Sequence, residues 1–379
     1  ATKQGQHGPV IAGVSTVNST GCMKIPSGPT EHRGGRGRGV LLAGSTPSLT
    51  KNCDFITIAT TGNSESFGEL SAVVAVSGAC ASATRSFSFG GDTSPSGGSN
   101  TSKIEYVVTS SKGGGNDFGD ISVARRYPGG VSDSTRGLSN GGTSPTPGVN
   151  TNIIDFFTMA STGDATDFGD LILQSTYMNG NNCSSPTRGI LAGGHPQVTP
   201  LIQFYNIQSK GDAIKFGELD VGKTALSSGS NTIRGIFAGG GTPSGLNTIE
   251  FITMSTEGNA QDFGDLTKGR GIAAGLSSAI RGLIAAGQNP GTTASIDAIS
   301  ITSGGNAVDF GDCTIARYGR GSTTDCIRGV FAGGTGPATT NIMDYVNIST
   351  QGDAVDFGDF HNVTGRLEGG CSTGHGGLG

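Results

Sequence analysis

Two sets of charged residues recur along the chain in a way that could do chemistry. The acids Glu69, Asp120, Asp170, Glu218, Asp265, Asp312 and Asp359 each follow a Phe-Gly pair, and the arginines Arg38, Arg85, Arg136, Arg188, Arg234, Arg281 and Arg328 each open a short apolar run. A ring of carboxylates could line a channel or hold calcium, and a ring of guanidiniums could hold anions. A site needs one set of ligands, however, and seven equivalent sets point to a structural role, in which they hydrogen-bond turns and tie neighbouring units together. Asp164, Asp167 and Asp170 come closest to a calcium run but lack the spacing of an EF-hand loop with its closing glutamate, so no metal and no other cofactor is expected. His7, His32, His195, His361 and His375 stand away from any serine or cysteine nucleophile motif, and no glycine-rich stretch joins a strand to a helix as a phosphate cradle would. The seven cysteines are an odd number without CxxC spacing, which fits packed, reduced thiols better than disulfides or a zinc site.

The elements that position these residues form an internal repeat. The Phe-Gly unit has its phenylalanine at Phe67, Phe118, Phe168, Phe216, Phe263, Phe310 and Phe357, at intervals of 51, 50, 48, 47, 47 and 47 residues. Units of this length are too small to bury their own apolar faces and must stack on neighbours, as solenoids and propellers do. Each unit opens on a run such as Arg234-Gly235-Ile236-Phe237-Ala238-Gly239-Gly240, a buried strand ending in a glycine turn. An alternating strand follows, such as Ile249-Glu250-Phe251-Ile252-Thr253-Met254, expected to turn its polar residues to one face and its apolar residues to the other. Its aromatic, at Phe55, Tyr106, Phe156, Phe204, Phe251 and Tyr345, lies 12 residues before the next Phe-Gly phenylalanine, with Ala298 the one exception. The Phe-Gly strand and a looser run leading to the next arginine complete four strands per unit, with no helical period. All of residues 35–379 therefore reads as an all-β, seven-bladed β-propeller with four-stranded blades. The run Arg366 to Ser372 supplies only an inner strand, and the first unit starts at Arg38 without one, so the two ends are expected to share one blade and close the ring.

Composition bounds the function classes. The 68 glycines and 14 prolines sit at fixed offsets beside Val, Ile and Phe, as turn and bulge residues do, rather than in a low-complexity tract. A net charge of −5 without a basic stripe argues against nucleic acid. Apolar stretches fall far short of the about 18 residues that span a bilayer, and the start Ala1-Thr2-Lys3-Gln4 lacks a signal-peptide core, so synthesis in a cytoplasm without membrane insertion is expected.

The repeat, with its apolar strand, double glycine, aromatic strand and second aromatic at a fixed distance, resembles the kelch repeat, although kelch proteins usually place tryptophan at the second aromatic and this chain has none. That resemblance implies a fold and a binding habit, and names no ligand. Residues 1–34 stand outside the repeat as an extended arm. Within it, Asn18-Ser19-Thr20-Gly21-Cys22-Met23-Lys24-Ile25-Pro26-Ser27-Gly28-Pro29-Thr30-Glu31 resembles a segment common in bacteriophage tail fibres and related virion proteins, departing from it where Gly34 follows Arg33. The tail-fibre resemblance implies a virion protein whose arm attaches to other virion proteins; an ordinary arm packed along the domain is the alternative.

Breaks in the regularity are where a site would show. From the fixed glycine to the strand aromatic the loop spans 11 residues in units 1, 5, 6 and 7, but 15 in unit 2, 14 in unit 3 and 10 in unit 4, and the stretch from Asp170 to Arg188 is 18 rather than 16. Binding residues favour loops on a rigid scaffold, so the candidates are Thr93, Ser94, Asn100, Thr143, Ser144, Thr146, Tyr177, Asn179, Asn181, Asn182 and His195. The expectation is a non-enzymatic virion adhesion protein presenting this patch to a host-surface glycan or protein. The alternatives are a cellular kelch-like interaction module and a polysaccharide-cleaving propeller.

Overall fold

The structure, a computed structural model, describes residues 37–361 apart from 47, 83, 95–98, 134, 146–148, 176–181, 232, 242–243, 279, 289, 320, 326 and 337–339, together with 16–17, 23–24 and 370–372. Seven sheets of four antiparallel strands form a seven-bladed propeller, and no helix occurs among the described residues. Blade 5 shows the plan. From the axis outward it runs Ser227–Ser230, Arg234–Ala238, Thr248–Thr253 and Gln261–Asp265. In the arm, the pair Thr16–Val17 and Met23–Lys24 forms a small antiparallel ladder.

Small residues on the inner strands let neighbouring blades meet close to the axis. An added Cβ on Gly130 would lie 2.0 Å from Ala79 O, and one on Gly275 would lie 2.4 Å from Ser228 O. Serine hydroxyls use that closeness to bond from blade to blade: Ser228 donates to Asn182 O at 2.7 Å, Ser277 to Ser230 O at 3.0 Å and Ser322 to Gly275 O at 2.9 Å.

The Phe-Gly motif is a bulge. In blade 5 the register shifts between Ile249 and Glu250, which face Gly264 and Asp262, so Phe263 has no partner across the ladder. The same shift recurs in every blade. A bulge bends the outer strand and re-aims one side chain, and each motif phenylalanine is buried in one of seven apolar clusters, each spanning two neighbouring blades. The following glycine is required by close approach. An added Cβ at any of the seven would lie 2.0–2.6 Å from backbone of the next blade's turn, and six of the seven have φ between +136 and +147.

The ring closes as the sequence reading expects. Gly370–Ser372 pairs with Gly39, Val40 and Leu41, making the inner strand of blade 1; residues 366–369 of the expected strand lie outside the described residues. Blade 7 also reaches blade 1 through Arg328 Nη1 to Ile58 O at 3.4 Å and Gly62 N to Phe357 O at 2.7 Å. Deleting residues 362–379 strips blade 1 of its inner strand and leaves an unpaired edge beside it. That truncation is expected to aggregate or to melt well below the intact chain in a thermal scan, and an unchanged midpoint would remove the closure argument.

Candidate functional site

The two charged rings hold blades together, each by a different atom. Every opening arginine donates to a carbonyl of the next blade at 2.7–3.4 Å, from Arg38 to Thr109 O round to Arg328 to Ile58 O. Six of them also lie over the aromatic of their own blade's third strand, with the guanidinium carbon 4.4–5.1 Å from the ring centroid. The acids after Phe-Gly differ from expectation. Their side chains are exposed or half-exposed on the outer strands, and in six of the seven it is the backbone N–H that bonds forward, for instance Asp120 to Asp164 Oδ1 at 3.0 Å and Asp359 to Asn63 Oδ1 at 3.0 Å.

A third set of charges, not singled out by sequence reasoning, lies inside. Arg125, Lys223, Arg270 and Arg317 are at most 1% exposed, and each pairs with a similarly enclosed acid on the third strand of the following blade. The pairs are Arg125–Asp155 at 2.8 Å, Lys223–Glu250, Arg270–Asp297 at 2.7 Å and Arg317–Asp344 at 2.5 Å. The acids are also held by the backbone of the connection that carries the cation, as when Thr267 N–H donates to Asp297 at 2.9 Å. Desolvation pulls the Arg125 guanidinium below its ordinary range, against the opposing pull of Asp155. Alternation along the third strand predicts that its polar residues meet solvent, whereas Glu250 is 3% exposed because the preceding blade and the connection carrying Lys223 cover that face too. One copy changes both partners together: where the cation is replaced by Ser175, the acid is replaced by Gln203, which accepts from Ile172 N–H at 2.8 Å, whereas buried Glu105 is kept where Val74 takes the cation's place.

The described cysteines Cys53, Cys80, Cys183 and Cys313 are buried, and burial pushes the Cys183 thiol up to about 12, so it stays protonated and unreactive near neutrality.

The irregular loops gather on one face. In an antiparallel four-stranded blade the second-to-third loop and the connection to the next blade emerge at the same end, and single bridges join them directly: Ala75 with Asp92, Arg126 with Thr143, Thr224 with Gly241 and Gly271 with Gln288. Around the inner rim of this face, Val76, Tyr127, Ala225 and Ile272 take φ of 53–55°, a costly conformation for residues with side chains. Its reason is another blade-to-blade bond, Tyr127 N to Val76 O at 2.8 Å and Ile272 N to Ala225 O at 3.0 Å.

On this frame the long loop of blade 2 reaches across to blade 3. Asn100 Nδ2 donates to Thr143 O at 2.8 Å, Arg126 pairs with Asp92 at 3.1 Å, and Thr143 donates to Asn150 Oδ1 at 3.0 Å. Thr93 donates to Ser99 O at 2.7 Å, and Ser94 N–H is held by Asp92 at 2.9 Å. Thr93, Ser94, Asn100, Thr143 and Ser144 thus share one half-exposed surface, and His195 is exposed on the loop of blade 4 at the same end. Asn182 sits apart from them, half-buried in the inner strand Asn182–Ser184, with its amide donating to Gly130 O at 2.5 Å. Thr146, Tyr177, Asn179 and Asn181 lie outside the described residues. Val149 and Val198, on the loops of blades 3 and 4, are exposed and add apolar surface to the face.

Sequence comparison finds no matching protein-family model and no matching curated protein. The class is defined by architecture alone: the protein is a seven-bladed β-propeller of four-stranded blades.

Proposed function

We propose that the chain is a non-enzymatic virion adhesion protein, a kelch-like propeller anchored to other virion proteins through the arm at residues 1–34 and displaying the face of blades 2–4 to a host-surface glycan or protein. The observation that carries this reading is the interlocked loop pair, Asn100 to Thr143, on the one stretch of the ring where loop lengths depart from the repeat. A pre-organised surface of Thr, Ser and Asn with adjoining apolar side chains offers hydrogen bonds and flat contact to a sugar or a polypeptide at low ordering cost. The arm's likeness to tail-fibre segments supplies the virion context.

The test is binding of the intact chain to arrays of bacterial surface polysaccharide and to cells that score positive. Shortening the loop at Thr93–Asn100 to the length found in blade 5, together with Tyr177→Ala, is expected to weaken binding at least tenfold (about 1.4 kcal/mol) while the melting temperature stays within a few degrees. Changes in the regular loop of blade 5, from Thr242 to Leu246, should leave binding intact. Loss of binding from the blade 5 changes alone would move the site away from the irregular loops, and release of reducing ends from the polysaccharide would make the protein an enzyme.

A further inference from the structure

The aromatic missing from blade 6 leaves a pocket. In the other six blades the third-strand ring stands edge-to-face on the Phe-Gly phenylalanine, with centroids 5.5–5.9 Å apart, and beneath the opening arginine. Blade 6 has Ala298 there, paired across the ladders with Leu283 and Val308. The neighbours have not closed in. A cavity of about 230 Å³ remains, lined by Arg281, Ala298, Val308, Phe310, the turn at Ser303 to Asn306, and Gln351 of the next blade. Arg281 holds its usual place, with Nη1 donating to Ile348 O at 2.8 Å, and Phe310 is buried at the floor.

We propose that this pocket binds a small molecule bearing a single aromatic ring, of the phenyl or phenol class. The ring enters the space that Phe251 fills in blade 5, meeting Phe310 edge-to-face and the Arg281 guanidinium on its face, contacts that the other six blades make internally. An apolar cavity of about 150 Å³ suffices for benzene, so the volume admits one ring with a small substituent. The wall is apolar at Phe310, Val308 and Ala298 and polar at Arg281, Asn306 and Gln351, which favours an electron-rich ring with a polar group at the mouth. The pocket opens beside the third-to-fourth turn, at the opposite end of the blades from the loops of blades 2–4, so it is independent of the adhesion face.

Phenol titrated into the intact chain, followed by calorimetry and by ring-proton chemical shifts, tests the proposal, with cyclohexanol as a non-aromatic molecule of similar size. One equivalent of phenol is expected to bind saturably, and cyclohexanol at least tenfold more weakly. Ala298→Phe should remove phenol binding and raise the melting temperature by filling the void. Ala298→Leu, which fills it with an aliphatic group, should also remove binding, and keeps the test decisive if the phenylalanine variant misfolds. Phe251→Ala should open a second phenol site in blade 5. Absence of saturable phenol binding, equal affinity for cyclohexanol, or phenol binding untouched in a folded Ala298 variant would each overturn the proposal. N-acetyl-tyrosinamide carries the same ring on a peptide unit; binding tighter than phenol would overturn the assignment to a free small molecule in favour of a tyrosine side chain.

Discussion

Replacing Arg317 with methionine is expected to cost about 3–5 kcal/mol of folding stability, the range for breaking a buried pair by removing one partner. Both side chains are wholly enclosed. Arg317 Nη2 sits 2.5 Å from Asp344 Oδ2 and Nη1 donates to Ile342 O at 2.8 Å, so the substitution leaves a carboxylate without its counter-charge in a region closed to water. The double variant Arg317→Met with Asp344→Leu removes both charges and should recover most of that loss, since an apolar pair of similar volume replaces an ion pair at little or no net cost. Urea or guanidinium unfolding of the three proteins checks this. Equal stability of the wild type and the single variant would show that water reaches the pair. A double variant as unstable as the single one would place the effect in lost backbone hydrogen bonds rather than in charge.

Gly264→Ala, like the same change at the other Phe-Gly glycines, is expected to be among the most damaging single-methyl changes on the outer strands, at about 3–5 kcal/mol from overpacking against backbone combined with a strained φ. The glycine has φ of +137°, and an added Cβ would fall 2.5 Å from the carbonyl carbon of Gly305 in the next blade, an atom that cannot step aside without opening the interface between blades 5 and 6. Gly258 is the matched control. It has φ of +149° with open space around it, so Gly258→Ala should cost only the strain, about 1–3 kcal/mol. Denaturation midpoints of the two variants separate the terms, and equal losses would mean that backbone conformation alone explains the Phe-Gly glycine in the six units where its φ is positive.

The repeat, the strand order and the closing of the ring are all legible in the chain because each of those features is local or concerns one neighbour. A phenylalanine at a bulge, a glycine beneath the next turn and an arginine reaching the next blade must recur once per blade, so their period is the blade count. The candidate face is legible in a weaker sense. Unequal loop lengths mark blades 2–4, but only the folded chain shows that Asn100 crosses to Thr143 while Asn182 turns inward to Gly130. The buried charges escape a sequence reading for a definite reason. Alternation in an isolated strand implies one wet face, whereas a propeller blade is covered on both faces by its neighbours, so Glu250 and Asp344 need cations delivered from the preceding connection. Likewise Ala298 is visible as a missing aromatic, yet whether the core collapses into the gap or holds it open depends on the rigidity of the surrounding blades. Sequence period thus determined how many blades there are and what seals them, because those contacts repeat. Tertiary packing alone decided which polar residues are dry and which gap stays empty, because both depend on what the neighbouring blade places opposite them.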